Sequence, residues 1–187
     1  MKPRAFTFFS VLAFLRLRKG EAMALQWKDI DFKNQIISID KTLVESTKTD
    51  SSNRTIRIDD RTASILKEWK NNILQRKLSL GIRNDNFEDN VVFSQSVLYR
   101  EKQYLGKSYP NHVMAKVQKH FPDMKIIKVH DFRKTNASLL FESGASIKDV
   151  AQILGHKSTK TTTDIYVKVT PTKQTETVAN FSKYMAF

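Results

Sequence analysis

Apolar residues recur at helical spacing over most of this chain and alternate in only one short region. Phe8, Val11, Leu12 and Leu15 predict a buried helix over residues 7–17. Arg18-Lys19-Gly20-Glu21 interrupts it. Gly20 permits a turn there, and Glu21 opens a second short helix through Leu25. Residues 36–44 then read as a strand and residues 54–58 as another, with Thr55, Arg57 and Asp59 alternating against Ile56 and Ile58. The link over 45–53 is polar and rich in Ser and Thr, which predicts a hairpin loop, and Lys48 sits in it. Asp59-Asp60 caps a helix over 61–78 with Ile65, Leu66, Trp69, Ile73 and Leu74 on one face.

Val91-Val92-Phe93 reads as a short buried strand or the edge of one, and Pro110 opens a helix over 110–121 whose Lys116, Lys119 and His120 form a basic face. His112 and His120 lack a partner at metal-ligand spacing and read as surface residues. Residues 131–143 predict a helix closed by Gly144. Ser146-Ile147-Lys148-Asp149 matches a capping box, and the helix that it opens closes at Gly155, the usual residue for a left-handed helix end. His156 therefore falls where the backbone turns. Ser158 or Thr159 caps a last short helix ending near Tyr166, weakened by the β-branched Thr161, Thr162 and Thr163. Beyond Pro171, Val178, Phe181 and Met185 place an apolar stripe on a C-terminal helix over 172–187, expected to dock on its own subunit or a neighbour. The fold class expected is α+β, mainly helical, with a small antiparallel β-hairpin or sheet.

A length of 187 residues, 40% of them hydrophobic, suits one globular domain with its own core. Thirty-two basic residues against 19 acidic ones give a net charge of +13, which favours a polyanionic partner, most commonly nucleic acid. Cysteine is absent, which excludes disulfides and thiolate metal sites. The apolar run over 6–17 is too short to span a membrane and carries no signal-peptide cleavage site, so a cytoplasmic location and no membrane partner are expected.

One window concentrates chemistry: His130, Arg133, His156 and Tyr166. Attack of Tyr166 on a phosphodiester would need activation, because a free tyrosine has a pKa of about 10 and is ionised to roughly one part in a thousand at pH 7. A histidine accepting the proton and arginines around the phosphate would supply it. Two arginines bind the non-bridging oxygens with planar forks, which lysine cannot do. The leaving 5′ oxygen needs a proton, for which Lys48 is the candidate. Taken alone, His130 reads as a capping or core histidine, and Tyr166 and Arg18 read more readily as a buried anchor and a solvated arginine. No acidic cluster suggests a metal, so neither metal nor cofactor is expected.

In these residues the chain resembles the catalytic domain of tyrosine recombinases of the phage-integrase type. Arg18-Lys19-Gly20-Glu21 with Ala24-Leu25-Gln26-Trp27 and Asp29-Ile30-Asp31 resembles the first arginine box. Lys48-Thr49 with Ser52-Asn53-Arg54-Thr55 resembles the lysine hairpin. His130-Asp131-Phe132-Arg133 resembles the His-x-x-Arg box, and Leu154-Gly155-His156 and Tyr166 resemble the last two elements. The resemblance implies the tyrosine-recombinase catalytic fold over 1–187, with Arg18 and Arg133 clamping the scissile phosphate. His130 and His156 would assist proton transfer and phosphate binding, Lys48 would protonate the 5′ oxygen, and Tyr166 would form a 3′-phosphotyrosine link. It also implies double-stranded DNA with a specific recombination site as partner, a homotetramer on that DNA, and accessory DNA-bending or directionality proteins.

Three departures from the family pattern stand out. Leu15-Arg16 occupies the place of a usual Thr-Gly, Lys134 that of a frequent histidine, and the chain begins almost at the first box, so the family's upstream core-binding domain is expected to be absent. Two rival readings stand beside the recombinase. Residues 144–155 also fit a helix-turn-helix of a non-catalytic DNA-binding module, and a type IB topoisomerase-like enzyme would use the same chemistry on one duplex.

Overall fold

The computed structural model describes residues 3–43, 53–83, 85–96, 104–155 and 158–169. Lys48, His156 and the expected docking helix over 172–187 lie outside them. The described chain forms two units, Met1–Arg133 and Lys134–Phe187.

In the first unit, proline at the opening position starts α1 (Pro3–Leu15), where a missing N–H costs nothing. Phe8, Val11, Leu12 and Leu15 are buried as their spacing predicts, and so are Thr7 and Ser10. Thr7 meets burial by donating its hydroxyl to the Pro3 carbonyl at 3.1 Å. The helix starts a turn earlier than its apolar stripe suggests. It also ends two residues sooner, because Arg16 takes a left-handed φ of 59° that no helix can continue. α2 (Lys19–Ala24) follows and is buried from Gly20 onward.

The sheet has three antiparallel strands in the order β1 (Ile30–Asp31), β2 (Ile36–Ile39), β3 (Arg54–Arg57). Ile37 stands opposite Ile56, and Ile39 opposite Arg54. The strand expected over 36–44 stops at Ile39. Past it, Lys41 turns to Asp29 at 3.3 Å, and the Leu43 amide donates to the Gly20 carbonyl at 3.2 Å instead of to a strand partner. β1 is two residues long, too short to leave a period in the sequence.

Asp59 caps α3 (Asp60–Ser79), accepting from the Thr62 amide at 2.8 Å and the Thr62 hydroxyl at 2.7 Å. Leu66, Trp69 and Ile73 are buried, and the Trp69 indole donates to the Val92 carbonyl at 2.8 Å. Val91-Val92-Phe93 is buried as expected but is not a strand. It offers a single bridge from Val91 to Gln26, with the Val92 amide on the Leu25 carbonyl at 2.8 Å. α4 (Tyr109–His120) carries Pro110 in its first turn and leaves Val113, Met114 and Val117 half-buried.

The division between units falls inside α5 (Asp131–Glu142), after Arg133. In the second unit α6 (Ile147–Leu154) and α7 (Thr159–Val169) follow. Its core is Ala137, Phe141, Val150 and Leu154, with Ile165 and Tyr166 packed against it. Ser146 caps α6 by accepting from the Asp149 amide at 3.1 Å, and Gly155 ends it with a left-handed φ of 62°, both as the sequence predicts. Ser146→Ala is expected to cost about 1 kcal/mol, because one orphan amide loses its acceptor; chemical denaturation of the variant checks this. Among the described residues, no helix is long and apolar enough to cross a membrane.

Candidate active site

The first unit gathers three arginines around one carboxylate. Glu21, in the first turn of α2, has only 3% of its side chain exposed. Its Oε1 accepts from Arg18 Nη1 at 2.7 Å and from Arg54 Nη1 at 3.0 Å. Its Oε2 accepts from the Arg18 backbone amide at 2.8 Å and from Arg54 Nη2 at 2.8 Å. An ionised carboxylate has about four acceptor positions, and here each has a donor. Glu21 is thus itself the anion at the start of α2.

Burial pushes the Glu21 carboxyl upward. The bond and charge of Arg54, then the backbone and side-chain bonds of Arg18, outweigh it and hold the group below its ordinary value. Glu21 is therefore ionised at neutral pH.

Arg133 stands in the first turn of α5 with 4% exposure, and its Nη1 donates to the Arg16 carbonyl. Burial, with the charges of Arg18 and Arg54, lowers its guanidinium to about 9, while Glu21 acts in the opposite direction. It is cationic at neutral pH. Arg18 and Arg133, the two arginines picked out in the sequence, are thus brought together. Arg18 is the more open of the two, with 38% of its side chain exposed.

The departure at Leu15-Arg16 falls at a left-handed turn, Arg16 having a φ of 59°. Glycine reaches this conformation without steric cost, and here an arginine adopts it. The turn presents the Arg16 carbonyl to Arg133. The Arg16 side chain is partly desolvated, which lowers its pKa, with the opposing charge of Asp59 raising it. Arg16→Gly is expected to keep the turn. Arg16→Val, β-branched at a positive φ, is expected to destabilise the chain by about 1–3 kcal/mol. Comparing the two variants by thermal unfolding separates backbone conformation from loss of the side chain.

His130 is exposed and lies in the turn ahead of α5, not within the helix. The turn is tied by Asp131, whose amide donates to the Lys128 carbonyl at 2.9 Å and whose carboxylate accepts from the Lys128 amide at 2.8 Å. His130 is therefore not a core residue; it stands at the surface three positions before Arg133. In the second unit Tyr166 is half-buried on α7, its ring edge-on to Phe141 with centroids 5.0 Å apart at 75°. Lys48 and His156 fall outside the described residues. Among the described residues, no group of three His, Asp or Glu side chains could hold a metal ion.

Two members of the cluster, Glu21 and Arg54, fall inside the quoted motifs but were given no role in the site. A signal for Arg54 exists. It shares the inward face of β3 with buried Ile56, and an arginine on an inward face requires a carboxylate. Chemically, three cations around one carboxylate leave a positive site in a partly water-excluded setting. Such a site favours an oxyanion with several acceptor oxygens.

The sequence model of the phage integrase family matches residues 3–173. The ICEBs1 integrase of Bacillus subtilis is 32% identical over 181 residues, covering 91% of this chain and 46% of the relative. The integrase of Staphylococcus phage L54a is 29% identical, covering 86% of this chain and 46% of the relative. The chain thus spans about half the length of the curated relatives that it matches. Among solved structures, the XerA recombinase superposes with a TM-score of 0.68 at 23% identity, covering 96% of this chain and 57% of that one. The Tn1549 transposon integrase in complex with transposon right-end DNA superposes at 0.67 and 20%, covering 87% of this chain and 54% of that one. The fold is that of these recombinases.

Proposed function

We propose, from the premise that this chain belongs to the phage integrase family, that it is the catalytic portion of a site-specific DNA recombinase that cleaves and rejoins strands through a 3′-phosphotyrosine intermediate. The observation that carries this reading is the cluster of Arg18, Arg54 and Arg133 around the single carboxylate of Glu21. An isolated ion pair would have balanced its own charge. This one leaves an excess of cationic forks where a phosphodiester would need them.

In the step proposed, the Tyr166 oxygen bonds to phosphorus as the bond to the 5′ oxygen breaks. His130 and His156 assist in taking the phenolic proton, and Lys48 gives a proton to the departing 5′ oxygen. Arg18 and Arg133 hold the non-bridging oxygens as negative charge spreads over them. The phosphotyrosine bond conserves the energy of the broken ester, so attack by a 5′ hydroxyl of another strand reverses the step without ATP. The partners proposed are double-stranded DNA with a specific recombination site, three further copies of the chain on that DNA, and accessory DNA-bending or directionality proteins.

The test uses a pool of 5′-labelled, nicked duplexes of randomised sequence. In these, the short strand released by cleavage diffuses away and traps the intermediate. The expected result is a labelled protein–DNA adduct that survives denaturation and maps to a peptide containing Tyr166. A selected, shifted complex with no adduct would overturn the enzyme in favour of the helix-turn-helix binding module. Duplex affinity is also expected to fall steeply with salt. If six phosphates are neutralised, a fourfold rise in salt costs about 10³-fold in affinity, by counterion release. A titration series in salt measures that slope.

A further inference from the structure

We propose that Arg54 is a positioning residue for strand cleavage, acting through Glu21 on Arg18; the proposal rests on the recombinase reading above. The geometry that carries it is a division of labour on one carboxylate. Arg54 takes one acceptor position on each oxygen, with Nη1 on Oε1 at 3.0 Å and Nη2 on Oε2 at 2.8 Å. Arg18 takes the other position on each, with Nη1 on Oε1 at 2.7 Å and its backbone amide on Oε2 at 2.8 Å. Rotation of the Glu21 carboxylate about its last bond would break both bonds to Arg18, and the planar fork of Arg54 fixes that rotation. A lysine could neutralise the charge but could not hold the plane.

Of the two arginines bonded to Glu21, Arg54 has 10% of its side chain exposed and Arg18 has 38%, so Arg18 is the one of that pair open to a ligand and Arg54 braces it. Arg54 owes its place to the sheet: it opens β3 opposite Ile39 and two residues before buried Ile56. The hairpin strand and the first arginine box are thus joined through one side chain.

Among the described residues, charged groups facing Glu21 are Arg18 from its own turn, Arg54 from β3 and Arg133 from α5. Removing Arg54 takes away the strongest of the influences that keep Glu21 ionised. Its carboxyl then protonates at higher pH, and protonation releases Arg18. A brace therefore predicts a change in the acid limb of the cleavage profile, which a generic packing role does not.

The test measures single-turnover cleavage of the nicked duplex by the full chain at saturating protein, as a function of pH on the acid side of neutrality. Thermal unfolding is followed in parallel. Arg54→Ala is expected to slow cleavage by about 10²-fold, the usual cost of a displaced group, and to move the acid limb to higher pH. Arg54→Lys is expected to recover part of the rate and to keep the wild-type acid limb. Arg54→Ala combined with Glu21→Gln, with no carboxylate to titrate, is expected to lose the shifted limb while staying slow. A folded Arg54→Ala with wild-type rate and profile overturns the proposal. Should Arg54→Ala fail to fold, a folded Arg54→Lys with the full wild-type rate overturns it equally. A wild type that forms no adduct overturns the recombinase reading and this proposal with it, whereas active wild type beside equally active variants overturns this proposal alone.

Discussion

Tyr166→Phe is expected to leave no covalent adduct on the nicked duplex while the chain stays folded and still shifts the DNA. The substitution removes one oxygen. The ring that packs edge-on against Phe141 at 5.0 Å, and contributes to the core of the second unit, is retained. Loss of a single hydroxyl changes stability by about 1 kcal/mol or less. The chemical loss is total, because the proposed intermediate is an ester of that oxygen. An adduct retained by Tyr166→Phe, mapped by mass spectrometry to another residue, would show that the nucleophile has been misassigned.

Glu21→Ala carries the second large effect, on stability and on cleavage together. It leaves Arg18, Arg54 and Arg133 facing one another with no carboxylate among them. Removing one partner of a buried ion pair costs about 3–5 kcal/mol, because the remaining charge is stranded. Arg18, with 38% of its side chain exposed, is screened by water, so thermal and denaturant unfolding should show a loss toward the lower end of that range. The pH dependence of the wild type follows from the same group. Glu21 is held below its ordinary value in the folded chain. Its contribution is therefore complete above the unfolded carboxylate range, near about 4.3, and is lost as pH falls through the lower folded value. Unfolding measured from neutral to acid pH should show this loss in the wild type, and a smaller one in Glu21→Gln.

Much of the fold was legible where chemistry is local. The cap at Ser146 and the left-handed end at Gly155 bound α6 as read, because each depends on residues within one turn. The inward faces of α1 and of β3 follow from spacing alone. Less was legible where the chain meets distant partners. β2 stops at Ile39 because Leu43 bonds to Gly20, a residue of another element. Val91 bridges Gln26 in place of joining a strand. In the cluster, Arg18 and Arg133 were given roles from the motifs, while Glu21 and Arg54, quoted in the same motifs, were given none. A carboxylate in a short helix and an arginine in a hairpin are each unremarkable until the fold brings them within 3 Å. Arg16 shows the converse. Its side chain departs from the motif, yet what reaches Arg133 is its backbone carbonyl.

The bond from the Arg18 amide to Glu21 Oε2 at 2.8 Å gives the site its own spectroscopic probe. An amide proton bonded to a buried carboxylate resonates downfield and exchanges slowly with solvent for as long as that bond is closed. Its chemical shift would titrate with Glu21, and its exchange rate would report opening of the cluster. An oxyanion drawn to Arg18 would perturb both in a solution that contains no DNA. The order of the cluster can therefore be followed at a single nitrogen, separately from turnover.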